Sequence, residues 1–303
     1  IKRDIYFLEK YRPKTLDEFT GHKEQVKKAL EWMQLFKEKK LPKNKKGLLL
    51  IGPPGVGKTT FAHILITSSG YLCKEFNGST LRSEKDVYNI LSKIRYGCSI
   101  TDRMRGIVRN IGIIMDEIDG GIKGDSGGHR VIIDYLKTEH KLKQIVTNNR
   151  KKEKQGKKVT SEHTLKLLYS FKNPIICISN TDDKKISDIK RCCECIYFNH
   201  PTQNETVQYI ENMCTKLNIN IPERGIYLIY KHCQGDYRRV LLIINTLVTD
   251  RGSSKITLDN VKDIIMLYGE KDLDLILTDA IRQIFNLSSI KPKITNKITN
   301  KIT

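Results

Sequence analysis

A run of apolar residues that breaks into a glycine-rich loop constrains this chain more than any other feature. Residues 48–60 read LLLIGPPGVGKTT, the pattern of a buried strand, a loop with the spacing G-x-x-x-x-G-K-T, and the first turn of a helix. Backbone N–H groups of such a loop point at one anion, and the helix adds the partial positive charge of its N-terminus. The sequence therefore predicts a phosphate-binding loop for a nucleoside triphosphate. The predicted binding residues are Gly52, Pro53, Pro54, Gly55, Val56, Gly57, Lys58, Thr59 and Thr60.

A second apolar run ends in two adjacent carboxylates. Residues 111–119 read IGIIMDEID. In a protein with a phosphate-binding loop, Asp116 is expected opposite Thr59, where both bind Mg²⁺ directly or through water. Glu117 is expected to orient and deprotonate the attacking water, and Lys58 to reach the β- and γ-phosphates. The alternative is a strand whose polar end simply lies at the surface. The residues needed for hydrolysis are therefore present in the sequence.

The charge balance favours a polyanionic partner. The formal net charge is +20 and the isoelectric point is near 9.5, which points first to nucleic acid. Lys, Ile and Asn are abundant together, as codons rich in A·T would produce, so part of the lysine excess has a second explanation. The cysteines include the closely spaced Cys192, Cys193 and Cys195, too close for a tetrahedral metal site without a distant second pair. A reducing compartment is the simpler interpretation.

Strand and helix patterns alternate in the first 200 residues, which predicts a parallel sheet covered by helices on both faces. From Thr202 the pattern is helical throughout. We predict a nucleotide-binding core at 1–200, a second, smaller and all-helical domain from 201 onward, and a disordered tail at 291–303. Within the core, 1–20 is expected to be extended, because Pro13 breaks helices. The lysine-rich stretch 139–162 is expected to be a basic insertion, functional or merely solvated.

Two features of the sequence bear on where the chain belongs. No run of eighteen apolar residues occurs, so no membrane span is predicted and membranes are not expected as partners. The first residue is Ile1 rather than methionine, so the chain is expected to be a piece of a longer product.

Several flanking motifs together resemble sliding-clamp loaders of the AAA+ family, and in particular the large subunits of replication factor C. The resemblance extends from residue 5 to about 286. The residues that carry it are EKYRP at 9–13, LDEF at 16–19 with Gly21, NGS at 77–79, IMDEIDG at 114–120, NPIICISN at 173–180, GDYRRVL at 235–241, and KDLDL at 271–275 with Asp279 and Ala280. The family implies an α/β core with a phosphate-binding loop, followed by a small all-helical lid at 201–270 and by the start of a truncated collar domain at 271–290.

The resemblance assigns roles to residues outside the loop. Tyr11, Arg12 and Pro13 would lie near the adenine of ATP and help to close the pocket. Asn180 would be a first sensor that touches the γ-phosphate or the attacking water. Arg238 would be a second sensor that reaches from the lid to the phosphates, so that loss of the γ-phosphate releases the lid.

One position departs from the small subunits of this family, which carry Ser-Arg-Cys before the last core strand. Arg191, Cys192 and Cys193 occupy the matching positions, so cysteine stands where an arginine finger is expected, although a shift of one residue would restore Arg191. A large subunit lies at the end of an open spiral, where its own finger completes no site. The departure therefore favours the large-subunit interpretation.

The resemblance implies the ATP- and Mg²⁺-dependent loading of a ring-shaped sliding clamp onto primer–template DNA, without sequence preference, in a hetero-pentamer with small clamp-loader subunits. It implies the nucleus or, for a viral protein, a viral replication compartment. The family's clamp-binding segment would fall near 97–104. Two alternatives stay open: a nucleotide-binding scaffold subunit without turnover, and the large subunit of an alternative loader or a related AAA+ DNA motor.

Overall fold

The computed structural model describes residues 2–42, 45–77, 110–119, 132–133, 136, 173–251 and 256–271. The core elements in chain order are α1 Lys2–Lys10, α2 Lys23–Lys37, β1 Gly47–Ile51, α3 Lys58–Ser68, β2 Leu72–Asn77, β3 Ile111–Asp116, β4 Ile175–Ser179, a 3-10 turn at Lys184–Ile186, α4 Ser187–Cys192 and β5 Cys193–Tyr197. The following helices are α5 Gln203–Leu217, α6 Glu223–Cys233, α7 Tyr237–Arg251 and α8 Leu258–Lys271.

The five described strands form one parallel sheet in the order β2-β3-β4-β1-β5. The central strand β1 lies between β4 and β5, with Leu49 opposite both Cys177 and Cys195. Every residue of β1 and β4 is buried, as expected for parallel strands covered on both faces. The predicted fold class is therefore confirmed.

Alternate side chains of β1 enter two separate apolar layers, because successive side chains of a strand point to opposite faces. Leu48 and Leu50 pack with residues of α2 and α3, including Trp32 and Phe61. On the opposite face, Leu49 packs against residues of α4 and against the described helical residues at 132–136. This arrangement fixes the carboxyl end of β1, and with it the loop that follows.

The N-terminal residues differ from the prediction. They were expected to be extended, yet Lys2–Lys10 forms helix α1. Pro13 lies beyond the end of this helix, where it stops the helix instead of preventing it. Phe7 and Tyr11 are one turn apart on one side of the segment, with ring centroids 4.6 Å apart, and they pack against the apolar cluster of the C-terminal helices. Burial of this apolar face stabilises a helix that a search for breakers alone misses.

The helices α5 to α8 enclose an apolar cluster of their own. Helix α5 begins with a capping box, in which Thr202 accepts from the Glu205 N–H and the Glu205 carboxylate accepts from the Thr202 N–H. The observed helices follow the helical pattern predicted from residue 202 onward, whereas the domain boundaries at 200, 270 and 290 stay predictions. The insertion at 139–162, the segment at 97–104, the tail at 291–303 and, beyond residue 271, the domain predicted at 271–290 lie outside the described residues.

No described helix is long and apolar enough to span a bilayer.

Candidate functional site

A cleft of about 530 Å³ lies at the carboxyl end of the sheet, between the core and the C-terminal helices. This edge is where ligands bind in open parallel sheets. The side chains that line the cleft come from the N-terminal segment, the loop after β1, the ends of β2, β3 and β4, and helices α5 and α7. They are Leu8, Glu9, Arg12, Pro13, Phe19, Thr20, Pro54, Gly55, Gly57, Lys58, Thr59, Thr60, Glu75, Asn77, Asp116, Glu117, Asn180, Tyr209, Tyr237, Arg238 and Leu241.

The loop after β1 has the backbone of an anion cradle. Gly55 and Gly57 have φ values of +76° and +94°, in the left-handed region that glycine tolerates best. Gly57 caps helix α3, which begins at Lys58 and places its free N–H groups at the cleft. Val56 is fully buried in the core, so it anchors the loop from below. The geometry therefore fits a phosphate chain held by backbone N–H groups.

Lys58 is nearly buried at the centre of this cradle. Its Nζ donates to the carbonyls of Gly52 and Pro53, each at 2.7 Å, and to Asn180 Oδ1 at 2.9 Å. Burial lowers the pKa of Lys58 to about 8, although the charges of two carboxylates, Asp116 and Asp119, act in the opposite direction. An ammonium held by neutral oxygens in this way is ready to exchange the two main-chain carbonyls for phosphate oxygens.

Oxygen ligands for a cation meet at the start of α3. Thr59 Oγ1 donates to Asp116 Oδ2 at 2.6 Å, and Asp116 Oδ1 accepts from the Glu117 N–H at 2.7 Å. A hydroxyl and a carboxylate beside a phosphate site are the donors that Mg²⁺ prefers, with substrate oxygens and water completing its shell. These two residues therefore fit the predicted Mg²⁺ site.

Glu117 is exposed to the cleft and has a φ of +52°. This left-handed conformation is uncommon for a residue with a side chain and is often found at functional sites. Directly after it, the Ile118 N–H donates to the Ile178 carbonyl at 3.1 Å, which returns the chain to the sheet. The turn leaves the Glu117 carboxylate at the cleft, beside the predicted metal ligand.

The two predicted sensors lie at the same cleft but on different elements. Asn180 directly follows β4 and contacts Lys58 through Oδ1. Because an ammonium can only donate, this contact orients the amide so that its NH₂ group is available to other partners. Arg238 lies in the first turn of α7, where its backbone N–H donates to Asp236 Oδ1 at 2.9 Å, and its exposed side chain lines the cleft.

The N-terminal motif is divided between two locations. Arg12 Nε donates to Thr60 Oγ1 at 3.1 Å, and its Nη1 contacts Glu9 Oε1 at 3.3 Å. Pro13 lines the cleft as well. Tyr11 instead packs in the apolar cluster of the C-terminal helices, and the cleft lining does not include it. Its predicted contact with adenine stays a prediction.

The residues at and beside the predicted arginine-finger position lie in two environments, the surface and the core. Arg191 is 77% exposed and its Nη1 contacts Asp188 Oδ1 at 3.1 Å. Cys192 and Cys193 are buried in the layer beneath β1 and β4. Cysteine at the expected finger position is therefore part of the core, whereas the neighbouring arginine is at the surface.

Several residues of the cleft were not predicted from sequence. The Tyr237 N–H donates to the Gly55 carbonyl at 3.0 Å, which joins α7 directly to the phosphate-binding loop. Glu75 lines the cleft and contacts the ring of His63. Asp119 accepts from the Asn180 N–H at 3.1 Å. Tyr237 lies in the quoted motif at 235–241, and Asp119 is the last acidic residue of the run at 111–119, but the sequence assigned a role to neither.

The chain is similar in sequence to several known proteins. The sequence model of the Rad17 P-loop domain matches residues 2–110. Chromosome transmission fidelity protein 18 of Saccharomyces cerevisiae is 30% identical over 270 residues, which is 80% of this chain and 34% of that protein. The replication factor C large subunit of Archaeoglobus fulgidus is 28% identical over 242 residues, 78% of this chain and 43% of that protein. The chain is thus similar over most of its length to the large subunits of replication factor C, and its fold class is that of a P-loop AAA+ core followed by helices.

Solved structures share the fold. A Thermotoga maritima RuvB structure aligns with a TM-score of 0.59 at 18% identity, covering 86% of this chain and 73% of that one. At this identity the likeness concerns the fold alone. The chain spans about a third to a half of the length of the curated relatives named above.

Proposed function

We propose that this AAA+ chain binds ATP with Mg²⁺ and hydrolyses it as the large subunit of a clamp loader, in an assembly with small subunits that places a sliding clamp on primer–template DNA. The observation that carries the proposal is one constellation. Lys58, Asn180 and the Thr59–Asp116 pair meet at a single cleft, and Arg238 of the helical region lines the same cleft.

Each residue of the cleft has a defined task in this proposal. The loop N–H groups and Lys58 hold the β- and γ-phosphates, which replace the Gly52 and Pro53 carbonyl oxygens now bound to Nζ, while the Asn180 amide oxygen stays bound to it. Thr59 and Asp116 would hold Mg²⁺, which when bound neutralises charge on the phosphate oxygens. The free NH₂ group of Asn180 donates to a γ-phosphate oxygen or to the attacking water.

Glu117 acts as the general base, which takes a proton from the water that attacks the γ-phosphorus. The phosphoryl group passes from the β-phosphate oxygen to this water, and ADP leaves with the electron pair of the broken bond. Arg238 contributes positive charge from α7, so it holds the helical region closed only while the terminal phosphate is present. Hydrolysis then releases the closed state and with it the clamp.

The net charge of +20 supports DNA as a partner. Contacts between lysine or arginine and phosphates are independent of sequence and weaken steeply with salt. Such contacts suit a subunit that acts on primer–template junctions of any sequence.

A second candidate is the corresponding subunit of an alternative clamp loader. The 30% identity with yeast chromosome transmission fidelity protein 18 favours it. Both candidates use the same cleft and the same chemistry, and they differ in the partner subunits that assemble with the chain. Co-purification with each set of small subunits, followed by ATPase assays of the complexes obtained, separates the two.

The test of turnover is the ATPase rate of the complex with small subunits, clamp and primed DNA. We expect the rate to rise when clamp and DNA are added, and both Glu117→Gln and Lys58→Ala to remove a share of it. Glu117→Gln retains ATP binding, because glutamine keeps the shape but is no base, whereas Lys58→Ala loses binding. If the complex forms and its rate is indifferent to both substitutions, the chain is a scaffold without turnover.

A further inference from the structure

Asp119 links the ends of β3 and β4 next to Asn180, which lines the cleft. It lies three residues after Asp116, and its Oδ2 accepts from the Asn180 N–H at 3.1 Å. The Thr181 hydroxyl approaches the same oxygen at 3.5 Å. One carboxylate therefore holds the first two residues after β4, and the first of them carries the amide that contacts Lys58.

The second oxygen of this carboxylate is unusual. Asp119 Oδ1 is buried, and among the described residues it has no hydrogen-bond partner. An ionised carboxylate with a buried, unpaired oxygen is destabilising unless a nearby charge compensates it. The compensating charge is Lys58, whose pKa the carboxylate raises against the effect of burial. A costly group at such a place is a candidate for a functional role.

The contacts of Asn180 define what Asp119 controls. The side chain of Asn180 is set by Lys58, as its Oδ1 accepts from Nζ at 2.9 Å. The main chain of Asn180 is set by Asp119. Because the side chain and the main chain of Asn180 are both held, its NH₂ group points in one direction. The end of β4 cannot shift without breaking the hydrogen bond to Lys58 or the one to Asp119.

We propose that Asp119 is a positioning residue for ATP turnover, which fixes the main chain at Asn180 so that the Asn180 amide meets the terminal phosphate in one orientation. The inference rests on the proposed ATPase function of the same cleft and adds a residue to it. Asp119 itself touches neither phosphate nor metal in this scheme. It acts through Asn180, so its loss alters the rate of the chemical step more than the affinity for nucleotide.

Three variants in the assembled complex test the proposal. Asp119→Ala removes both the acceptor and the charge, whereas Asp119→Asn keeps an oxygen that can accept from the Asn180 N–H. Asp183→Ala is the matched control, because Asp183 Oδ2 also accepts from the Thr181 hydroxyl, at 2.9 Å, but does not contact Asn180. The control therefore removes a neighbouring carboxylate from the same turn.

We expect Asp119→Ala to lower kcat about a hundredfold, the loss typical of a misplacement of about 1 Å at a reacting group, with the ATP dissociation constant changed less than about threefold. The decrease in kcat should be at least tenfold smaller in Asp119→Asn, and the kcat of Asp183→Ala should equal that of the unsubstituted protein. Equal rates for Asp119→Ala and the unsubstituted complex overturn the proposal. So does an equal loss in Asp119→Ala and Asp183→Ala, which would indicate general damage to the turn.

A measurement without turnover keeps the proposal separate from the proposed function. Hydrogen exchange of the Asn180 backbone N–H, followed in the nucleotide-free chain, should become faster in Asp119→Ala and stay unchanged in Asp183→Ala. If the unsubstituted complex hydrolyses no ATP, the proposed function fails, while this exchange experiment still reports on the contact. If the exchange rate of the Asn180 backbone N–H is the same in the unsubstituted chain, Asp119→Ala and Asp183→Ala, Asp119 does not fix the strand end and the inference is wrong.

Discussion

Adding one methyl group to the phosphate-binding loop should uncouple it from helix α7. A Cβ at Gly55 would lie 2.0 Å from Asp236 Oδ1 and 2.2 Å from Asp236 Cγ. The carboxylate cannot swing aside freely, because it accepts from the N–H groups of Arg238 and Arg239 at 2.9 and 3.1 Å. In Gly55→Ala either the loop or the start of α7 must therefore move.

The size of the effect follows from two contributions. The φ of Gly55 is +76°, where a side chain costs about 1–2 kcal/mol. Real Cβ atoms are essentially never found closer than 3.0 Å to another atom, so the loop and α7 must separate by about 1 Å. A displacement of that size at a reacting group lowers turnover about a hundredfold. The strain thus affects stability, and the displacement affects activity.

Gly70→Ala separates these contributions. Gly70 has a φ of +86°, and a Cβ there would meet nothing within 4 Å, so this variant has the strain without the clash. Thermal unfolding should show a similar decrease in Tm for both variants. ATPase assays of the assembled complex should show the hundredfold loss only for Gly55→Ala. Equal ATPase rates for the two variants would refute the reasoning, because the clash with Asp236 would then have no effect on the site.

Three further predictions concern the site and the core. Raising the pH through about 8 should weaken ATP binding, because Lys58 loses its proton there in the nucleotide-free protein, whereas bound phosphates favour its charged form. The charged groups that face Lys58 are Asp116, Asp119 and Arg238. Nucleotide titrations between pH 7 and 9.5 check this, and an ATP affinity that does not change over this range contradicts it. Arg238→Ala should lower the affinity for ATP more than that for ADP in the same assay, whereas equal losses would show that the side chain does not reach the terminal phosphate. Leu50→Ala, in the fully buried central strand, should lower the free energy of unfolding by about 2–5 kcal/mol, and urea denaturation should show a much smaller change for Leu30→Ala on the exposed side of α2.

The parts of the fold that followed from sequence are those in which local pattern and tertiary structure agree. The run at 48–60 contains a strand, a loop and a helix start with one spacing, and each is observed. Continuous apolar residues predicted buried parallel strands, and β1 and β4 are fully buried. The phosphate-binding loop led us to expect Asp116 opposite Thr59 and Lys58 beside them, at one site for Mg²⁺ and phosphate. The structure brings them together there.

The parts that the sequence did not reveal depend on contacts distant along the chain. Helix α1 is stabilised by packing Phe7 and Tyr11 against helices more than 190 positions later, and no local pattern reports on that burial. The contact of Asp119 with Asn180 spans 61 positions, so only the paired register of β3 and β4 makes it visible. The bond between Gly55 and Tyr237 uses main-chain atoms alone, which carry no sequence signal.

That main-chain bond attaches the first residue of α7 to the phosphate-binding loop, so a movement of the loop can rotate the helix about this point. The helix contains 15 residues and is therefore about 22 Å long. A rotation of about 10° around its first residue would move the far end by about 4 Å, for a helix of that length. A small rearrangement of the loop can in this way become a displacement of several ångströms at the far end of α7.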